Sequence, residues 1–181
     1  MKIAWVFALA LWCGCGGTPA AARPVPPPAA RRRPTLVGEM QKLSFYVGDW
    51  SCQGTIFATA TDPQETFTAR VEVRPDAGGA VVAVHMIGPG DSRSAEVKGY
   101  DPATRTWFHF WATRDGGRGS LSSDGWEGQR LVAYDDATAR PRRRRTVFSK
   151  LAENRFSHRE EAESETGFRP VWEKVCEKSA R

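Results

Sequence analysis

Apolar and polar residues alternate at every second position over most of this chain, and that period constrains the fold more than any other feature. Phe67, Ala69, Val71 and Val73 alternate with Thr68, Arg70, Glu72 and Arg74, which describes a strand with one dry and one wet face. Trp50, Cys52, Ile56 and Ala58 share a face with Gly54 between them. Ala80 to Ile87 is a denser apolar strand, on which His85 reads as a buried hydrogen-bonding residue. Turn residues punctuate these runs at Asp76-Ala77-Gly78-Gly79, Gly88-Pro89-Gly90-Asp91, Asp101-Pro102-Ala103-Thr104, Asp115-Gly116-Gly117 and Asp124-Gly125. Further strands are expected at Ser94 to Tyr100, Thr106 to Thr113, Arg118 to Ser122 and Arg130 to Tyr134. Thr146 to Leu151 and Arg155 to Glu161 form a hairpin across Glu153-Asn154, and Phe168 to Cys176 is the last strand. Only Val37 to Leu43 suggests a helical turn or two, with Met40 and Leu43 facing the core.

The chain is therefore all-β, with about nine or ten short antiparallel strands. Left flat, such a sheet would expose two edges. Closing it into an up-and-down barrel removes them, and a two-sheet sandwich is the competing solution. The barrel is preferred. Closure places the first and last strands side by side, and those strands carry Cys52 and Cys176. A disulfide between them is expected in an oxidising compartment, against the alternative of two separately buried thiols.

The N-terminus argues for such a compartment. Residues 1–22 begin with Lys2 and an apolar run, MKIAWVFALAL, too short to span a bilayer with ease, and read as an export signal. Ala20-Ala21-Ala22 offers small residues to an ordinary signal peptidase. Cys15, preceded by Gly14, sits where a bacterial lipoprotein carries its lipidated cysteine, so a periplasmic protein and an outer-membrane-anchored lipoprotein both remain open. Residues 23–36, RPVPPPAARRRPTL, hold five prolines and four arginines and form an extended tether. Residues 37–177 are the folded domain.

The formal charge is +5, but the excess is local. Arg31 to Arg33 and Arg140 with Arg142 to Arg145 form two short runs, and the remainder is slightly acidic. No nucleic-acid partner is expected. Contact of the arginine runs with the envelope or an anionic membrane is the alternative to plain solvation. The run Glu163 to Thr166 reads as a solvated loop.

Thr106 to Thr113, TWFHFWAT, is the most aromatic strand. Trp107, His109 and Trp111 share one face, Phe108 and Phe110 the other. If the first set faces inward it lines a pocket with N–H donors in apolar walls; if the second does, the core is drier. His158, in step with Phe156 and Glu160, is a further ligand-lining candidate. No nucleophile elbow, zinc-protease helix or phosphate-binding glycine loop is present. No local cysteine or histidine pair supports a metal site. The reading is a binding protein for a small hydrophobic or aromatic molecule, more than an enzyme; the alternatives are a filled-core envelope module and an enzyme that uses His109 or His158 as a base at the barrel mouth.

The segment Leu43 to Gly54, LSFYVGDWSCQG, resembles the opening of lipocalin-like (calycin-type) domains of uncharacterised exported bacterial proteins, the DUF1579-like group. Lys98-Gly99-Tyr100-Asp101 followed by Trp107 and Phe108, and the closing strand with Trp172, are similar to that group as well. The resemblance implies a barrel with Trp50 as a structural plug at one end. It implies no settled activity. The nitrobindin-like haem barrels share Gly48, Trp50 and Gly54 of their opening pattern, while Cys52 replaces a glycine. Through that second resemblance His158 becomes a candidate haem ligand; otherwise no cofactor is expected.

Overall fold

The computed structural model describes residues 34–135 and 143–180, and every structural statement below concerns these. The expected export signal, Cys15, residues 23–33 of the tether, Arg140 and Arg142 lie outside them.

A 3-10 helix, Gly38–Tyr46, precedes eleven strands. They are β1 (Gly48–Ile56), β2 (Glu65–Asp76), β3 (Val81–Ile87), β4 (Arg93–Asp101), β5 (Thr106–Thr113) and β6 (Arg118–Ser123). Then come β7 (Trp126–Glu127), β8 (Arg130–Asp135), β9 (Arg144–Ala152), β10 (Arg155–Ser164) and β11 (Gly167–Lys178). Each strand pairs antiparallel with its chain neighbours, except that β6 reaches past the two-residue β7 to pair with β8. β1 pairs with β11 over Trp50–Ile56. The sheet is thus a closed up-and-down barrel, not a sandwich, and closure satisfies the edge hydrogen bonds that a flat meander would leave bare.

The seam is cross-linked. Cys52 stands directly opposite Cys176, and the two are disulfide-bonded across a sequence separation of 124. Both are buried.

The alternation sorts the side chains as the period requires. Ala69, Val71 and Val73 of β2 point inward, as do Val82 and Val84 of β3. His85 consequently points out and is exposed, contrary to the expectation of a buried histidine. The run VVAVHMI is apolar on both faces, so composition hides its phase. The neighbouring outer face is also apolar: Val97 and Phe110 are cross-strand partners and both are exposed, Phe110 at 53 %. Ile56 and Ala58 are exposed too, because β1 reaches the barrel mouth there.

Three further expectations shift. β7 is too short to leave a period. β10 runs through Ser164, so only Glu165 and Thr166 form the turn where a longer loop was expected. Arg144 and Arg145 open β9 instead of lying in a loop. They bond Glu160 at 2.5 Å and Glu161 at 2.6 Å.

The 3-10 helix closes one end of the barrel. Met40, Leu43, Phe45 and Tyr46 are buried against Trp50, Phe148 and Phe156. Tyr46 meets the edges of Phe148 at 4.8 Å and Phe156 at 4.9 Å, and Trp50 meets Phe156 at 4.8 Å. The Trp50 indole N–H donates to the Tyr46 carbonyl at 2.8 Å. Trp50 is therefore part of the plug. The segment entering the helix crosses Gly79, whose φ of +93° and missing Cβ permit the Thr35 carbonyl to approach the backbone.

Candidate functional site

The inward face of each strand can be read in layers from the plug to the opposite, open end. On β5 the order is Trp107, His109, Trp111; on β10 it is Phe156, His158, Glu160; on β11, Cys176, Lys174, Trp172; on β4, Lys98, Glu96, Ser94. The first members of β5, β10 and β11 join the plug. The next members meet as a layer of ionisable side chains across the barrel. Beyond that layer is a cavity.

The cavity has a volume of about 290 Å3. Trp111, Trp172, Met86 and Leu121 give it apolar walls. Glu96, His109 and His158 form its floor, with Ser94, Thr146 and Glu160 around them. A larger hollow of about 580 Å3 lies outside the barrel against β1, β2 and β11. It is bordered by solvated side chains such as Gln53, Arg70 and Arg155, and no buried polar group converges on it. The interior cavity is the better site, because apolar walls and a few convergent polar groups are what small-molecule recognition uses.

In the floor, the Glu96 carboxylate holds both the Lys98 ammonium and His109 Nε2, the latter at 3.0 Å; Lys98 Nζ also lies 3.1 Å from His109 Nε2. Burial by itself would raise the Glu96 carboxyl. The Lys98 charge, the His109 hydrogen bond and the Lys174 charge outweigh it and hold the group well below the usual carboxylate range. His109 is lowered by burial and by Lys98, against the pull of Glu96. His158 is pushed well below the ordinary histidine value by burial, then by Lys174 and Lys98. Both imidazoles are consequently neutral at pH 7. Lys174 is lowered to about 8, first by burial. Tyr46, whose ring faces Lys98 from the plug side, is raised by burial and by the Glu96 charge.

Two polar groups in this cavity lack partners among the described residues. Neither ring nitrogen of His158 has a hydrogen bond, nor does the Ser94 hydroxyl. His158 is 3 % exposed and wedged against Trp172 at 4.9 Å. Trp172 is itself oriented by its indole N–H, which donates to Glu160 at 3.0 Å, while Glu160 is held by Arg144. Among the described residues no group of three or more His, Cys, Asp or Glu could hold a metal ion.

Of the residues that the sequence singled out, His109, Trp111 and His158 converge on the cavity. Trp107 does not. It packs with Tyr100 and Trp126 in the plug, because it lies one step nearer the closed end than His109. Glu96, Lys98 and Lys174 were not anticipated. On β4, Ser94, Glu96 and Lys98 alternate with Ala95, Val97 and Gly99, and the ordinary reading of that pattern turns the polar face to water. The barrel turns it inward. Lys174 did carry a signal, since it stands two residues from Cys176 and so shares the inward face of β11.

No protein-family model matches the chain, and no curated protein matches it. What the structure supports of the Gly-x-Trp resemblance is the architecture alone, a closed antiparallel barrel consistent with the calycin or lipocalin-like fold class.

Proposed function

We propose that this protein is an exported, non-enzymatic binding barrel of the DUF1579-like kind that holds a small aromatic or hydrophobic molecule between Trp111 and Trp172. The observation that carries this reading is the cavity of about 290 Å3 walled by Trp111, Trp172, Met86 and Leu121. That volume is near the lower end of the roughly 300–1,000 Å3 range of small-molecule sites, so the occupant is compact, on the scale of a single substituted ring. Catalysis is the weaker reading. His109 does lie within reach of an acid, but the facing atoms of that pair are bound to each other and to Lys98.

The N-terminal export signal and the disulfide support a periplasmic or outer-membrane-anchored location. The envelope-module alternative loses two of its arginines, since Arg144 and Arg145 are engaged by Glu160 and Glu161. Haem ligation by His158 is favoured by its unpartnered ring nitrogens. Against it stand the volume, small for a tetrapyrrole, and the Lys98 and Lys174 charges beside the ring.

Native mass spectrometry of protein purified from its own host tests the reading. A retained small molecule, lost when Trp111→Ala is made, is expected. A Soret band in the same sample would favour haem instead, and an empty barrel that binds no compound from a library of substituted aromatics would overturn the binding role.

A further inference from the structure

Behind the lining of the cavity sits a cation that no carboxylate hydrogen-bonds. Glu96 is bound to Lys98 and Glu160 to Arg144, and the two imidazoles are neutral; the remaining cation is Lys174, packed behind Met86 and Trp172 of the cavity wall. Lys174 is 3 % exposed, and among the described residues its hydrogen-bond partner is the thioether of Met86 at 3.0 Å. A thioether is a weak acceptor and carries no charge. A buried ammonium with no anionic partner costs several kcal/mol, and proteins seldom retain one without a use.

The position of this ammonium says what could complete it. Lys174 and His158 are directly opposed cross-strand partners on β11 and β10, both pointing inward, so their side chains start about 5 Å apart. Met86, against which the ammonium rests, lines the cavity, as does His158. A cationic donor and an unpartnered neutral imidazole thus sit together at the base of an aromatic-walled chamber.

From this juxtaposition we infer that the occupant is an aryl or short apolar carboxylate, whose carboxylate pairs with Lys174 and accepts the N–H of His158 while its body lies between Trp111 and Trp172. This rests on the binding role proposed above and specifies its ligand class. One carboxylate suffices for the one ammonium there that no carboxylate hydrogen-bonds. A dianion would meet Glu96 and Glu160 in the same cavity, where the cations Lys98 and Arg144 are already bound to those carboxylates. The neutral state of His158 lets one ring nitrogen donate to the ligand without adding a second charge.

The test compares 3-phenylpropanoate with its neutral isostere 3-phenylpropanamide by isothermal titration calorimetry on the folded, oxidised protein. At pH 7 the carboxylate is expected to bind at least tenfold tighter, the scale of a charge-assisted hydrogen bond in a dry site. Lys174→Met should abolish that preference while leaving the amide's affinity within about threefold. In the wild type, carboxylate binding should take up about half a proton per ligand at pH 8 and almost none at pH 6, measured in buffers of differing ionisation enthalpy. The groups that face Lys174 are Glu96 and Lys98 from β4, His109 from β5 and His158 from β10; Lys174, lowered to about 8, is half-protonated at pH 8. Equal binding of acid and amide, or a preference that survives Lys174→Met, would overturn the carboxylate inference and leave the binding role standing. Failure of both compounds, and of longer and shorter members of both series, would overturn the two together.

Discussion

The two ends of this barrel are built from the same strands and obey the same two-residue period, yet they serve opposite purposes. At the closed end Tyr46, Trp50, Phe148 and Phe156 pack edge to face and are all buried. At the open end, two residues further along each strand, the inward positions pass to His109, His158, Lys174 and Glu96 and then to a cavity. The closed end gains stability from packing. The open end gives some of it up, in a buried lysine that no carboxylate hydrogen-bonds, two unbonded imidazole nitrogens and empty volume. Such features are where a fold departs from its own stability optimum for the sake of a site.

That contrast makes the closed end the place where substitution should hurt most. Opening the Cys52–Cys176 bridge, which ties the seam beside Phe156, should cost on the order of 4 to 5 kcal/mol by loop-closure entropy. It should lower the melting temperature by roughly 10–15 °C, measured by calorimetry with and without reductant. Phe156→Ala should cost about 3–5 kcal/mol in denaturant unfolding. Trp111→Ala, at the cavity wall, should cost markedly less stability while removing ligand binding. Equal losses at the two sites would erase the distinction between a filled and an open end.

The floor should behave in the reverse sense. Lys174 has a folded pKa of about 8 against an ordinary 10.5, so the unfolded chain holds more protons between those values. Stability therefore rises with pH from about 8 towards 10.5 and is reduced below 8 by about 3 kcal/mol relative to a neutral residue. Lys174→Met should stabilise the ligand-free protein at pH 7 by up to that amount and flatten the alkaline rise. A destabilised variant would mean that the ammonium has a strong partner after all.

The smallest effect concerns the histidines. Both are lowered in the fold, so as pH falls below about 6.5 the unfolded chain takes up protons that the folded chain refuses. Stability is lost on acidification, with a slope of up to about 1.4 kcal/mol per pH unit for each ring. His158→Phe should remove one such contribution between pH 6.5 and 5, read from denaturation midpoints at stepped pH. An unchanged slope would place His158 in water.

Much of the closed end was legible in the sequence. Trp50, Cys52 and Phe156 are apolar residues in phase with their strands, and the disulfide follows once the first and last strands are neighbours. The open end was legible only in part. The face of β5 bearing Trp107, His109 and Trp111 is amphipathic in character, so alternation alone could not choose between it and the Phe108 and Phe110 face. On β4 the pattern pointed the wrong way: Glu96 and Lys98, two residues apart on one strand, neutralise each other and are joined by His109 from β5, so a polar face is tolerated inside, and period alone does not tell such a face from one turned to water. Trp107 looked like a cavity residue because periodicity gives a side chain's direction but not its depth.

The most direct test is the titration of Lys174 itself, followed by NMR of its labelled side chain in the ligand-free protein. A midpoint near 8 is predicted, moving upward when an aryl carboxylate is added. A midpoint near 10.5 with and without ligand would mean that the lysine is hydrated or already paired, and would contradict a dry, cationic floor beneath the cavity.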